Sequence, residues 1–195
     1  VKPLGLGILG SGKGSNCRAI LETIRDGKLS AQARVVISDV LDAPILDIAR
    51  EFSVPHAYLP PGQFRTRLEP NVEADLVRML RDADVNLVVL AGFMRVLKSA
   101  ILEAFPRRII NIHPSLLPKF PGLEAWKQAL TAGETTTGCT VHYVDDKIDH
   151  GDIIARREVP ILPNDSAESL HARIQIAEHE LYPAVIAQLC AEHSS

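Results

Sequence analysis

Three polar side chains stand out for the chemistry they could share. Asn111 and His113 lie two apart in Ile109-Ile110-Asn111-Ile112-His113-Pro114-Ser115, a run that reads as a strand ending in a loop. Alternate residues of a strand project to one side, so an amide donor and an imidazole would stand together. That pair suits a developing oxyanion, and an imidazole can also move protons near neutral pH. Asp149, in Ile148-Asp149-His150-Gly151-Asp152, would complete the set. A carboxylate near His113 would favour the imidazolium and could accept protons through water. Spacing alone does not join Asp149 to His113. The loop that carries it returns to the same sheet end if the strand before it runs parallel to the strand of Asn111. The plainer reading is a strand-end His and Asn satisfied by backbone, with Asp149 an exposed loop acid. Ser115 and Cys139 are conceivable nucleophiles, but neither has an activating base evident in the sequence.

A second cluster is Gly10-Ser11-Gly12-Lys13-Gly14-Ser15-Asn16. Gly5-x-Gly7-x-x-Gly10 has the form of a dinucleotide fingerprint. However, most of it lies inside the first strand, where its glycines could not open a helix onto a pyrophosphate. Gly7-x-x-x-x-Gly12-Lys13 approaches a P-loop, but Gly14 stands where Ser or Thr would hold Mg²⁺. What remains is a Gly-rich turn before a helix. Unpaired N–H groups and the helix dipole there favour a single phosphate monoester, and a turn needing positive φ is the structural alternative.

The elements that must position these groups alternate in type. Strands are expected at Leu4–Leu9, Arg34–Ile37, His56–Leu59, Leu87–Ala91 and Arg108–His113, the fourth apolar throughout, as a strand buried on both faces should be. Helices are expected at Ser15–Asp26, Pro44–Phe52, Leu68–Ala83 (starting near Pro70) and Lys98–Phe105. After Pro114 the pattern changes to a helix over Leu123–Ala132 and strands at Thr137–Tyr143 and Ile153–Val159, joined by the loop Val144–Asp152. A last helix runs from about Ser166 to the C-terminus, with Asp165 suited to its N-cap and Pro183 expected to kink it. The fold class is α/β: a doubly wound, Rossmann-like, mostly parallel sheet with a mixed C-terminal portion, in one domain over 1–195.

Composition agrees with this reading. The 195 residues are 46% hydrophobic and 23% charged, enough apolar material for a core without disulfide staples. A net charge of −3 with no Lys/Arg run argues against a nucleic-acid groove. The odd, scattered cysteines Cys17, Cys139 and Cys190 suggest neither a disulfide framework nor a zinc site, and no metal is expected. Val1-Lys2-Pro3-Leu4 does not read as a signal peptide and no apolar run is long enough to span a membrane, so the cytoplasm is the expected location.

Asn111-x-His113-Pro114-Ser115-Leu116-Leu117-Pro118, then Pro121-Gly122 and Asp149-x-Gly151, resemble the folate-dependent formyltransferase family. Gly12-x-Gly14-Ser15-Asn16, Leu90-Ala91-Gly92-Phe93-Met94-Arg95, Val141-His142-Tyr143-Val144 and Glu178-His179-Glu180-Leu181-Tyr182-Pro183 resemble the branch that formylates glycinamide ribonucleotide in purine biosynthesis. These motifs cover nearly the whole chain, in order. The resemblance implies 10-formyltetrahydrofolate as cosubstrate, direct attack through a tetrahedral intermediate, and small-molecule partners, with no nucleic acid or membrane and a monomer or homodimer. It implies Asn111, His113 and Asp149 as the catalytic group, and Ser11, Gly12, Lys13, Gly14, Ser15 and Arg67 as the phosphate site. Gln175 and Glu178 would contact the ribose. Met94, Arg95, Val96 and Leu97, with Val144, Asp145 and Ile148, would line the pterin pocket. The N-terminal half, about 1–105, would then bind phosphate, and the C-terminal half, about 106–195, would carry catalysis and folate. The sequence departs from the family's usual pattern at Lys13, Glu124 and Asp152. The alternatives are a nucleotide-sugar formyltransferase, a formyltetrahydrofolate deformylase, or a non-catalytic folate-binding module. A methionyl-tRNA formyltransferase would be expected to add a C-terminal domain.

Overall fold

The computed structural model describes residues 3–193; Val1 and Lys2, on which the N-terminal reading partly rests, lie outside the described residues. Elements follow in the order β1 (Leu4–Leu9), α1 (Ser15–Arg25), β2 (Ala31–Ser38), α2 (Pro44–Glu51), β3 (His56–Tyr58), α3 (Pro70–Asp82) and β4 (Leu87–Leu90). They continue with α4 (Ser99–Ala104), β5 (Ile109–His113), α5 (Ala125–Thr131), β6 (Thr136–Tyr143), β7 (Ile153–Pro160) and α6 (Ala167–His193). Among the described residues, seven strands form one sheet in the order β3-β2-β1-β4-β5-β6-β7. Strands β1 to β5 pair in parallel, while β6 runs antiparallel to β5 and β7 antiparallel to β6.

The two-residue period of the strands feeds two separate cores. In β4, Leu87 and Val89 join the apolar cluster under α1, α2 and α6, while Val88 and Leu90 join the cluster under α3 and α4. Strand β5 continues the pattern: Ile110 and Ile112 enter the first cluster, and Ile109 enters the second. Asn111 and His113 therefore share the face of Ile109. Past α4 that face is covered by loops, which is where a polar site can form.

Helix α6 is the main buttress of the other face. Leu170, Ile174, Ala177, Leu181, Val185, Ile186 and Leu189 recur at helical spacing and are buried, each large one contributing about 1.5–3 kcal/mol of burial. The Tyr182 hydroxyl reaches the Leu90 and Ile110 carbonyl oxygens at 2.9 and 3.1 Å, tying α6 to the ends of β4 and β5.

Two expectations change. The cap of α6 is Ser166, whose Oγ accepts the Ser169 N–H while Ser169 Oγ accepts the Ser166 N–H. Asp165 instead holds Arg173 and Ser169, an arrangement that pulls its carboxyl well below the ordinary range. Finally, β6 is not parallel to β5. The connection from β5 runs through residues 114–124 and the seven-residue α5, and the chain then returns down the sheet rather than climbing it again. Asp149 must therefore reach His113 by another route, described below.

Tyr182→Phe removes one proton that serves two buried carbonyls. It should lower unfolding free energy by on the order of 1–3 kcal/mol in urea titrations, with no change in the slope. Unchanged stability would show that the hydroxyl contributes nothing to seating α6.

Candidate active site

The strand order reverses between β1 and β4, and their carboxyl ends open a crevice where the connections diverge. The Gly-rich loop leaves β1 on one side, and residues 91–97 leave β4 on the other. The two are stitched together: Ser11 N–H donates to the Gly92 carbonyl at 2.9 Å, and Met94 N–H donates to Ser11 Oγ at 2.9 Å. The loop ends at Gly14, the N-cap of α1, with φ 74°. A Cβ at Gly14 would meet Ile45 at 2.8 Å, whereas one at Gly12 would meet nothing within 4 Å. Gly14 is thus required by the fold, and Gly12 faces open space. No side chain caps α1 and no acid lies in its first turn, so its N–H groups and dipole present a positive end to the crevice.

Asn111 and His113 stand side by side on β5, as the spacing implies. Directly across on β6, His142 pairs with Asn111 in the register. Asn111 Nδ2 lies 3.2 Å from His142 Nε2, and His142 Nδ1 lies 2.8 Å from the Tyr143 carbonyl. These contacts hold the Asn111 amide against the His142 ring. Because β6 is antiparallel, Asp149 arrives from a loop that folds back over the sheet. That return demands special backbone: Asp149 itself has φ 50°, and a Cβ on Gly151 would collide with the Tyr143 carbonyl. Asp149 Oδ2 accepts the Gly122 N–H at 2.8 Å and lies 3.3 Å from His113 Nδ1, while its Oδ1 lies 3.7 Å from His142 Nε2. The other His113 nitrogen, Nε2, is 2.8 Å from the Phe120 carbonyl.

Both His113 nitrogens therefore face acceptors, a setting only the imidazolium satisfies at both ends. Burial opposes that charge and prevails: it holds the His113 pKa below the ordinary imidazole value, against Asp149 and the Phe120 carbonyl, which pull it up. The expectation that Asp149 raises His113 gives only the smaller contribution. For Asp149, burial works against ionisation, but His142, His113 and the Gly122 N–H together outweigh it and hold the carboxyl below its usual range. The acid is a carboxylate at neutral pH. Neither alternative nucleophile is armed: Ser115 Oγ donates to the Lys119 carbonyl at 2.6 Å, and burial pushes the Cys139 thiol up to about 12.

The remaining site residues fall around this centre. Glu178 is buried (6% exposed) and accepts from Asn16 Nδ2 at 3.0 Å, placing it beside the start of α1. Burial pushes its pKa up to about 7, against the Asn16 hydrogen bond. Asn16 Oδ1 is buried with no hydrogen-bond partner among the described residues. Gln175 lies one turn away from Glu178 on α6, and Lys13 is exposed. The Arg67 guanidinium sits 4.3 Å from the centre of the Phe64 ring, with its backbone bridged to Val96. Leu97 and Val144 belong to one apolar cluster, and Met94 and Ile148 are exposed beyond it. Asp145 is engaged with His150 and the Lys147 N–H. Ser11 and Arg95 are turned toward protein rather than crevice: Ser11 Oγ donates to Asp39 Oδ1 and Arg95 Nε to Asp39 Oδ2. Glu124 and Asp152, two of the departures, pair with Lys127 and Arg107. Sequence reasoning missed His142, Phe120 and Asp39. The signal for His142 was present: Thr140 and His142 alternate with the apolar Cys139 and Val141. Among the described residues no group of three or more His, Cys, Asp or Glu is placed to hold a metal ion.

Residues 6–186 match the family described as formyl transferase. The phosphoribosylglycinamide formyltransferase of Bacillus subtilis is 38% identical over 93% of this chain and 92% of its own length. The trifunctional purine biosynthetic protein adenosine-3 of Drosophila pseudoobscura pseudoobscura is 45% identical over 94% of this chain, which spans only 14% of that protein. The same protein of Drosophila melanogaster is likewise spanned over 14% of its length. Among solved structures, glycinamide ribonucleotide transformylase 1 from Symbiobacterium toebii superposes with a TM-score of 0.93 at 43% identity, covering 97% of this chain and 89% of that one. The corresponding protein of Geobacillus kaustophilus gives 0.91 at 38% identity, covering 97% and 100%.

Asp149→Asn keeps the residue shape and tolerates the left-handed backbone, so it isolates the charge. Single-turnover rates should fall by ~10²-fold or more with little change in substrate affinity. Proton NMR should place the His113 titration below ~6.5 in the native protein and lower still in this variant, since burial then acts unopposed by Asp149. A rise on loss of Asp149 would contradict that order of effects. Glu178 gives a pH test of opposite sign. Its folded pKa lies above the unfolded ~4.3, so its stability contribution is full below that value and lost as pH rises through the folded one. Glu178→Gln should gain on the native protein from about pH 5 to about pH 8, by on the order of 2–4 kcal/mol in denaturant titrations. Parallel stability curves would show that the carboxyl is not held protonated.

Proposed function

The chain belongs to the formyl transferase family, and on that premise we propose that it moves a formyl group from 10-formyltetrahydrofolate to the amine of glycinamide ribonucleotide, a step of purine biosynthesis. The observation that carries the reading is the placement of the Asn111–His113–Asp149 group one strand away from an uncapped, Gly-rich helix start, across the crevice between β1 and β4. A phosphate seated on that helix start would leave the rest of a ribonucleotide to run toward β5. In this reading Glu178, bonded to Asn16 beside the start of α1, would contact the ribose together with Gln175. The N-terminal half would thus hold phosphate and the C-terminal half the chemistry.

A reduced pterin would lie against Leu97 and Val144, which share one apolar cluster, with backbone groups of 94–97 and 144–148 at its rim. The folate would supply the formyl group: the substrate amine attacks the formyl carbon to give a tetrahedral intermediate, the bond to N10 then breaks, and a proton passes from the amine to N10. Asn111, oriented by His142, presents its remaining N–H to the oxygen that becomes negative. His113 reaches the same oxygen by exchanging its Phe120 contact, and charge developing there favours the imidazolium that burial otherwise disfavours. Asp149, already a carboxylate, steadies that imidazolium and accepts a proton directly or through water. Holding two substrates in one crevice could itself remove roughly 7–11 kcal/mol of the barrier. No metal enters this chemistry. Among the described residues no helix is long and apolar enough to cross a membrane, and the reading places the enzyme in the cytoplasm.

The test is an absorbance assay of tetrahydrofolate release. Glycinamide ribonucleotide should be formylated far faster than methionyl-tRNA or an amino-sugar nucleotide, and no formate should be released without an acceptor. Activity should survive exhaustive chelation. Gly12→Val should raise the KM for the ribonucleotide and leave folate affinity nearly constant, because a Cβ there meets no protein atom within 4 Å and the fold itself is spared. Gly14→Val is not informative, since it strains the fold itself. Equal weakening of both ligands by Gly12→Val would remove the phosphate assignment.

A further inference from the structure

The phosphate site, as read above, draws on two segments that are far apart in the chain and have no direct bond to each other among the contacts described: the Gly-rich loop and the strap that carries Arg67. Between them lies a closed polar network. Asp39, at the end of β2, is 4% exposed. Its Oδ1 accepts from Ser11 Oγ at 2.5 Å, and its Oδ2 accepts from Arg95 Nε at 2.7 Å. The Arg95 guanidinium then turns its Nη1 onto two successive carbonyls of the strap, Phe64 at 2.7 Å and Arg65 at 2.5 Å. Val96 N–H continues the attachment, donating to the Thr66 carbonyl at 2.8 Å, and Arg67 bridges to Val96. The Arg95 side chain is 16% exposed and that of Asp39 is 2% exposed, so the pair is shielded from solvent and salt.

We propose that the Asp39–Arg95 ion pair is the positioning device of the anion site: it sets the distance between the Gly-rich loop and the Arg67 strap so that both reach one phosphate. The inference rests on the functional reading above for where the phosphate sits. Neither side chain need touch the phosphate. Asp39 acts through the Ser11 hydroxyl, and Arg95 acts through the strap carbonyls. The planar fork is essential, because one guanidinium serves the carboxylate and the strap on different edges. A lysine ammonium is a single point and cannot span both. The carboxylate supplies the counter-charge of the shielded guanidinium and accepts from it and from Ser11.

Arg95→Lys and the milder Asp39→Asn test this, with thermal unfolding to establish that each variant is folded. The first readout is binding of inorganic phosphate, followed by phosphorus NMR titration. The second is the KM for glycinamide ribonucleotide against kcat. Phosphate affinity should fall about tenfold or more in Arg95→Lys, as for loss of a charge-assisted hydrogen bond, and by less in Asp39→Asn, which keeps the hydrogen-bonding shape. The loss should appear mainly in the ribonucleotide KM, with a smaller change in kcat. Phosphate affinity and ribonucleotide KM equal to those of the native protein in a folded Arg95→Lys would overturn the proposal. So would losses in kcat and in both KM values of one common size, which is what general loosening produces. Phosphate binding needs no formyl transfer. A native protein that binds phosphate without turning over the ribonucleotide would therefore refute the functional reading while leaving the variants to decide this one.

Discussion

A parallel sheet delivers the ends of its strands to one edge, and where neighbouring connections leave in opposite directions a crevice opens between them. That constraint, at the join of β1 and β4, underlies everything else in this molecule. It places the Gly-rich loop and the 91–97 segment face to face, close enough for Ser11 to bond both Gly92 and Met94. It also leaves the start of α1 uncovered. The two apolar clusters, one on each side of the sheet, hold that edge open by fixing β1 and β4 from both faces.

The chemistry sits where the sheet stops being parallel. Reversal at β6 sets His142 opposite Asn111 and sends the next loop back over the face that α3 and α4 do not reach. A helix crossing in its place would have covered the face with apolar side chains. A returning loop instead brings a carboxylate, and it needs a left-handed residue at Asp149 and a bare backbone at Gly151 to do so. Local backbone of that sort is sustained because the surrounding contacts over-determine it. Here those contacts are the Gly122 N–H and the His113 ring.

Burial and pairing pull in opposite directions throughout the site, and the balance differs residue by residue. Asp149 has enough donors around it to remain charged despite burial. His113 has acceptors at both ends, yet burial still outweighs them. Glu178, with one amide for a partner, is held near the midpoint of its titration at neutral pH. Within one crevice the protein thus keeps Asp149 charged, disfavours the imidazolium of His113 and favours the protonated form of Glu178.

Much of this was legible along the chain. The alternation of apolar runs and helical patterns, the buried strand Leu87–Leu90, the Gly-rich turn and the shared face of Asn111 and His113 all follow from periods of two and 3.6 residues, which neighbours in sequence dictate. Resemblance carried Asp149 into the site, but spacing could not, and the parallel return that would have justified it does not occur. The direction of β6, the pairing of His142 with Asn111, the turn of Arg95 toward Asp39 and the burial that lowers His113 were decided only by tertiary structure. Local pattern says which residues share a face. It does not say what stands opposite them, and the charge and orientation of a polar side chain depend on its partners and on how much water is left around it.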